Sequence, residues 1–295
     1  MSPRWLALQG GVTALVAVGL LGMQAPPAAG QDTAASRTPD VHYVPTPQRV
    51  VDAMLRLTAV GPQDLVYDLG SGDGRIPITA AKRFGARGVG IDIDPARIKE
   101  ANANAQAQGV TDRVRFLRQD LFQTDFSPAT VVTLYLLPSL NVKLRPLLFR
   151  VLRPGTRIAS HAFDMGGWVP DAKLEVEGSN AFFWTIPVDV RGDWDWEMQS
   201  ADGVERHTVT FQQRFQKATG SWAGENATAS VPEVRIVGDS ITFRIFRPVE
   251  EFRIAARVAG DRMTGTIEQD GVPARPFSAR RVKRPAGSIE VEPAE

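Results

Sequence analysis

Ten consecutive residues constrain the fold of this chain more than any other stretch. They are Val66-Tyr67-Asp68-Leu69-Gly70-Ser71-Gly72-Asp73-Gly74-Arg75, an apolar run that ends on an acidic residue and passes into glycines at alternate positions. An apolar run of this length that gives way to glycines and then to a helical pattern reads as a parallel-sheet strand turning into its crossover helix. Glycine lets the backbone turn sharply and lets a ligand lie against main-chain N–H groups, at the carboxyl edge where such sheets bind cofactors. A dinucleotide turn would carry glycine at the first, third and sixth positions, and the sixth here is Arg75, which argues against NAD.

The surrounding sequence supplies the rest of that sheet. From Val41 to about Val188, β-rich apolar runs alternate with amphipathic stretches, the pattern of an α/β parallel sheet with crossover helices. Strands are expected over 65–69, 88–93, 114–118, 131–137 and 156–163, with helices over 47–57, 75–84, 95–108 and 138–152. Thr46 is expected to cap the first helix ahead of Pro47, and Asp94 to cap the third ahead of Pro95. Two further strands, 173–177 and 182–187, complete the sheet as an antiparallel pair.

Two more acidic residues recur where strands end. The second strand closes on Gly90-Ile91-Asp92, and a carboxylate there can accept both hydroxyls of a ribose. After the third comes Gln119-Asp120-Leu121, which places Asp120 to accept from an adenine amino group and the Leu121 N–H to face a ring nitrogen. Asp68, Asp92 and Asp120 beside a glycine-rich turn describe a pocket for a cationic, adenosine-containing ligand.

At these residues the chain resembles the class I, or seven-β-strand, S-adenosylmethionine-dependent methyltransferases, over about half its length. Tyr43-Val44-Pro45-Thr46 before the first helix, taken with the Asp-Leu-Gly-Ser-Gly-Asp-Gly-Arg loop, is similar to the lysine methyltransferases of mitochondrial ATP synthase c-subunit and their bacterial relatives. The resemblance implies that Asp68 and the loop Gly70, Ser71, Gly72 and Gly74 hold the methionine part. It implies too that Asp92 meets the ribose, Asp120 and Leu121 the adenine, that Ile91 is a further cofactor-binding residue, and that Tyr43, Pro45 and Thr46 close over the cofactor. The segment Leu134-Tyr135-Leu136-Leu137-Pro138 stands where this superfamily orients its nucleophile. It lacks the Asn-Pro-Pro-Tyr type of sequence, which disfavours amide and adenine-amino acceptors. The sequence identifies neither the methyl acceptor nor a catalytic base; the narrower resemblance points to a protein lysine as acceptor. Tyr135 is read as a core residue, while His161, Asp164 and Trp168 are read either as an acceptor mouth or as core and loop packing.

Composition narrows the alternatives. With 34 Lys and Arg against 33 acidic residues, the net charge of +1 offers no field for a nucleic-acid partner. The chain has no cysteine, which excludes disulfides, thiolate metal sites and cysteine nucleophiles, and its three histidines leave little for a histidine metal site.

Residues 1–30 join Arg4, an apolar run through Met23 and Ala28-Ala29-Gly30 in the pattern of a signal peptide or retained N-terminal anchor. A linker is expected over 31–40. The expected location is periplasmic or extracellular, with no membrane span in the mature chain unless that segment is kept. Export sets up a second expectation: a non-enzymatic binding module that keeps the methyltransferase fold.

After Val188 short alternating runs are broken by Asp202-Gly203, Gly238-Asp239, Gly260-Asp261 and Asp270-Gly271, as in an antiparallel barrel or sandwich over 189–285. This module resembles calycin-like barrels, and Trp194, Trp196, Phe211, Phe215, Trp222, Phe243 and Phe252 are its expected core. A loose tail is expected over 286–295, and Asn226-Ala227-Thr228 is read as a chance sequon.

Overall fold

The computed structural model describes residues 42–200, 203–224, 227–247 and 250–290. The expected signal segment and linker, Asn226 of the sequon and residues 291–295 lie outside them. No helix among the described residues is long and apolar enough to cross a membrane.

The first half is built from α1 (Gln48–Leu57), β1 (Leu65–Leu69), α2 (Arg75–Phe84), β2 (Arg87–Asp92), α3 (Pro95–Ala107), β3 (Val114–Arg118), β4 (Val131–Leu134), α4 (Pro138–Val151), β5 (Arg157–His161), β6 (Ala172–Val176) and β7 (Ser179–Thr185). They form a seven-stranded sheet in the order β3-β2-β1-β4-β5-β7-β6. Strands β1 to β5 run parallel, and β7 and β6 return antiparallel. The chain steps outward from β1 through β2 to β3, then crosses back to place β4 on the other side of β1. A crevice therefore opens at the carboxyl ends of β1 and β4, the switch point where such sheets bind ligands.

Alternation across the pleat divides the core. Val66, Val131 and Ala159 face Val50, Val51, Met54 and Leu55 of α1, whereas Tyr67, Leu69, Val132 and Leu134 face Leu144 and Leu148 of α4. Asp94 caps α3 as expected, its Oδ1 accepting from Ala96 N–H at 2.8 Å. Thr46 does not cap α1. Pro47 holds that position with no side-chain bond, and the Thr46 hydroxyl is committed to His161 Nδ1 at 3.2 Å. The strand expected over 131–137 stops at Leu134, because Tyr135 to Leu137 turn away to form a cavity wall and the N-cap of α4.

The second half is a closed barrel of β8 (Gly192–Ser200), β9 (Gly203–Arg214), β10 (Lys217–Ala223), β11 (Thr228–Val237), β12 (Ser240–Arg247), β13 (Glu250–Ala259), β14 (Arg262–Gln269) and β15 (Val272–Lys283). Each strand pairs antiparallel with the next, and β15 closes on β8. Closure removes the sheet edges, and Trp194, Trp196, Phe211, Trp222, Phe243 and Phe252 fill the interior as expected.

Two expectations are corrected here. Phe215, read as barrel core, packs in the sheet's core beside Trp168 and Phe149. The tail is not loose over 286–290: Ile289 is buried and Glu290 pairs with Arg145 at 2.7 Å.

Candidate functional site

A cavity of about 350 Å³ opens at the carboxyl ends of β1 to β4. Its floor is Asp68, Gly70, Ser71 and Ile91, and its sides are Asp92, Gln119, Asp120, Leu121 and Phe122 from the strand ends that follow. Tyr135 and Leu136 after β4, with Leu140 in α4, make the opposite wall, and the strap His42–Thr46 lies against the opening.

The acidic groups sit in unequal surroundings. Asp68 is almost fully buried, and burial, with the charges of Asp92 and Asp73 acting the same way, pushes its carboxyl up to about 8 against a hydrogen bond from Thr133 Oγ1 at 2.7 Å. Burial also raises the Asp92 carboxyl, although its Oδ2 accepts from Gly72 N–H at 2.8 Å and its Oδ1 from Asp94 N–H at 2.9 Å. Asp120 turns its own loop, accepting at Oδ1 from Phe122 N–H at 2.9 Å. Burial alone would raise the Asp73 carboxyl too, but the Arg75 guanidinium, forked onto both of its oxygens at 2.6 to 3.1 Å, holds it below the usual carboxylate range.

That guanidinium also donates to Thr46 O at 2.8 Å, so the residue that breaks the dinucleotide pattern ties the strap to the glycine loop. Tyr43 completes the tie. Its ring lies under the Arg97 guanidinium at 4.8 Å, and burial with the neighbouring Asp73 charge raises its pKa.

Of the residues expected to hold a cofactor, Tyr43, Pro45, Thr46, Asp68, Gly70, Ser71, Ile91, Asp92, Asp120 and Leu121 line this one cavity, and Gly72 and Gly74 do not. Both of these glycines have positive φ, +51° and +79°. A Cβ on Gly72 would stand 2.2 Å from the Tyr43 ring, and one on Gly74 would stand 2.5 Å from Phe116. Their task is to admit the strap and to bring the turn down on β3, whereas Gly70 lines the cavity itself, with the Leu136 side chain against its Cα.

Tyr135, expected in the core, is half-buried in the cavity wall, and its ring lies 3.9 Å from that of His161. His161 is buried, burial lowers its pKa, and its Nε2 has no hydrogen-bond partner among the described residues. Trp168 does not reach the mouth; it is fully buried and donates to Gln216. Asp164 is exposed and accepts from Gly166 N–H at 3.0 Å. Sequence reasoning passed over Asp73, Arg75 and Arg97 because their value lies in reaching the strap, and no spacing rule reports that contact.

Residues 68–172 match the family model of the ANTKMT methyltransferase domain. A protein-lysine N-methyltransferase of Saccharolobus islandicus is 49% identical over 146 residues, which cover 49% of this chain and 91% of that protein. The human lysine N-methyltransferase of the ATP synthase c-subunit is 30% identical over 139 residues, 47% of this chain and 59% of that protein. The alignment with the mouse adenine nucleotide translocase lysine N-methyltransferase is 34% identical and covers 45% of this chain and 57% of that protein. The chain thus spans little more than half the length of the animal relatives it matches. Among solved structures, an RNA methyltransferase of Salinibacter ruber in complex with S-adenosyl-L-homocysteine aligns at 58% identity over 50% of this chain and 96% of that one, with a TM-score of 0.49. These relatives give no support to the expectation of a non-enzymatic binding module. The chain belongs to the class I S-adenosylmethionine-dependent methyltransferases, in the group that carries the ANTKMT methyltransferase domain.

Proposed function

We propose that this enzyme methylates the side-chain amine of a protein lysine. The observation that carries the cofactor assignment is Asp68, a buried carboxyl held at about 8 beside two further acids, because a cationic ligand group relieves that strain where an anionic one would add to it. Other features of the cavity fit S-adenosylmethionine as well. Ser71 Oγ is buried with no hydrogen-bond partner among the described residues, Ile91, Leu121 and Leu136 give an apolar lining, and the volume suits a ligand of this class. In this reading Asp68 and the backbone at Gly70 and Ser71 hold the methionine part, Asp92 the ribose, Asp120 and the Leu121 N–H the adenine, and the strap Tyr43–Thr46 excludes water.

S-adenosylmethionine supplies the activated methyl group when bound. The chain's own work is to deliver a neutral amine in line with it. Freeing a lysine amine from its proton at neutral pH costs about 4–5 kcal/mol from a reference pKa near 10.4. The wall of Tyr135, Leu136 and Leu140 lowers that cost by desolvating the ammonium, and the neighbouring His161 stays neutral through burial and adds no opposing charge. Lysine is favoured over other acceptors by the function named for the archaeal relative, nearly all of which this chain covers.

The test is transfer of labelled methyl from S-adenosylmethionine to poly-L-lysine and to a cell-protein extract, with total RNA as a third acceptor. Label in N-methyl-lysine after hydrolysis is the expected result. Label in RNA alone overturns the lysine reading, and no binding of S-adenosylhomocysteine by calorimetry overturns the cofactor assignment.

A further inference from the structure

No barrel residue lines the cavity among the described residues, yet the barrel grips the loop between β5 and β6, which starts beside the His161 ring that packs on Tyr135 of the cavity wall. That loop, residues 162–171, leaves β5 at the same carboxyl edge. It begins at Ala162, with φ +63°, directly after His161 and its contact with Tyr135.

Its first half is tied to α4. Asn141 Nδ2 donates to Phe163 O and Asp164 O at 3.3 and 3.1 Å, and Arg145 Nη1 donates to Met165 O at 2.6 Å. Its second half is tied to the turn between β9 and β10. There Gln216 accepts from Trp168 Nε1 at 2.9 Å and donates to Val169 O at 2.7 Å and to Asp171 Oδ1 at 3.1 Å. Beside it Phe215 takes φ +54°, a strained value for so large a side chain, and stacks its ring on Trp168 with centroids 6.0 Å apart. Phe215 N–H donates to Ile289 O at 2.8 Å, and Glu290 reaches Arg145, so the end of the described chain closes the same knot.

We propose that the barrel is a positioning element for the acceptor side of the methyltransferase cavity, with Gln216 as the positioning residue. The inference rests on the reading above, in which the tips of β1, β2 and β3 take the cofactor and leave the side of Tyr135 and β5 to the acceptor. A loop that contains Gly166 and Gly167 has little rigidity of its own, and misplacement of a reacting group by about an ångström costs a hundredfold in rate. One glutamine that fixes Trp168, Val169 and Asp171 together removes that freedom without touching the cofactor side.

The test compares the full chain with Gln216→Met, which keeps the side-chain length and deletes the amide, and with Gln216→Glu, which still accepts from Trp168 but cannot donate. For Gln216→Met, S-adenosylhomocysteine affinity should stay within about two-fold and amide exchange across 162–171 should rise about ten-fold. Its kcat on poly-L-lysine should fall about ten- to a hundred-fold with a raised KM for the polymer, and Gln216→Glu, whose second carboxylate oxygen would face Val169 O and Asp171 Oδ1, should lose at least as much. Unchanged loop exchange overturns the proposal, as does faster exchange with unchanged kcat and KM. Loss of S-adenosylhomocysteine affinity in step with kcat also overturns it, because the turn would then be supporting the whole domain. If the wild type binds S-adenosylhomocysteine and leaves the polymer unmethylated, the lysine reading fails and loop exchange alone decides the role of Gln216. If it does not bind S-adenosylhomocysteine, the cofactor reading and this inference fall together.

Discussion

Replacing Asp68 by asparagine should make the free enzyme more stable while weakening its hold on cofactor, and both effects follow from one buried proton. Asp68 lies in the floor of the cavity, where burial raises its pKa from 3.8 to about 8. Between those two values the folded chain keeps a proton that the unfolded chain has released. The folded state therefore binds more protons, and stability falls as pH rises through that window. Each pH unit is worth about 1.4 kcal/mol for one group, so Asp68 alone should cost the fold about 4 kcal/mol at pH 7 relative to acid conditions below its unfolded pKa. Asp68→Asn keeps the shape and an oxygen for the Thr133 hydroxyl but cannot ionise. It should be more stable than wild type by about 2–4 kcal/mol at pH 7, the difference shrinking toward zero near pH 4. Its affinity for S-adenosylhomocysteine should fall by about 1.5–3 kcal/mol, the worth of a hydrogen bond to a charged group. Urea unfolding of both proteins from pH 4 to 9 at fixed ionic strength measures the first effect, and calorimetric titration the second. A stability difference that is absent, or that does not change with pH, refutes the buried-proton argument.

Two further outcomes concern the glycine loop. Asp92→Ala should weaken S-adenosylhomocysteine binding by about 2–4 kcal/mol and also loosen the loop, since the carboxylate now accepts the Gly72 and Asp94 N–H groups; unchanged affinity in titration refutes its place at the ribose. Gly72→Val should destabilise the chain and expel the Tyr43 ring, and in a double-mutant cycle the harm should shrink in a Tyr43→Ala background to the backbone penalty of about 1–2 kcal/mol. An equal loss in both backgrounds shows that the strap contact is not the cause.

The parallel sheet was legible because strand burial and helix amphipathy are periodic along the chain: Leu65–Leu69 and Arg75–Phe84 stand where the pattern placed them, and Asp94 caps its helix through a neighbour two residues on. The three acids were legible because each stands within two residues of the carboxyl end of a parallel strand, where such sheets open their crevice. The meander after Val188 was legible in its turns, but barrel and sandwich share the same local alternation, and only the pairing of β15 with β8 separates them.

Contacts between residues far apart in sequence leave no periodic trace. Thr46 reads locally as a helix cap, yet His161, 115 residues away, takes its hydroxyl. Phe215 reads as barrel core, yet a left-handed backbone turns its ring onto Trp168 of the other module. Gly72 reads as a ligand cradle, yet the Tyr43 ring occupies the space beside it. Sequence alone thus determined the methyltransferase sheet and the order of acids at its edge, because those depend on local propensity and repeat. Only the tertiary structure decided what closes the cavity and what steadies its acceptor side, because those depend on which distant surfaces the packing brings within a few ångströms.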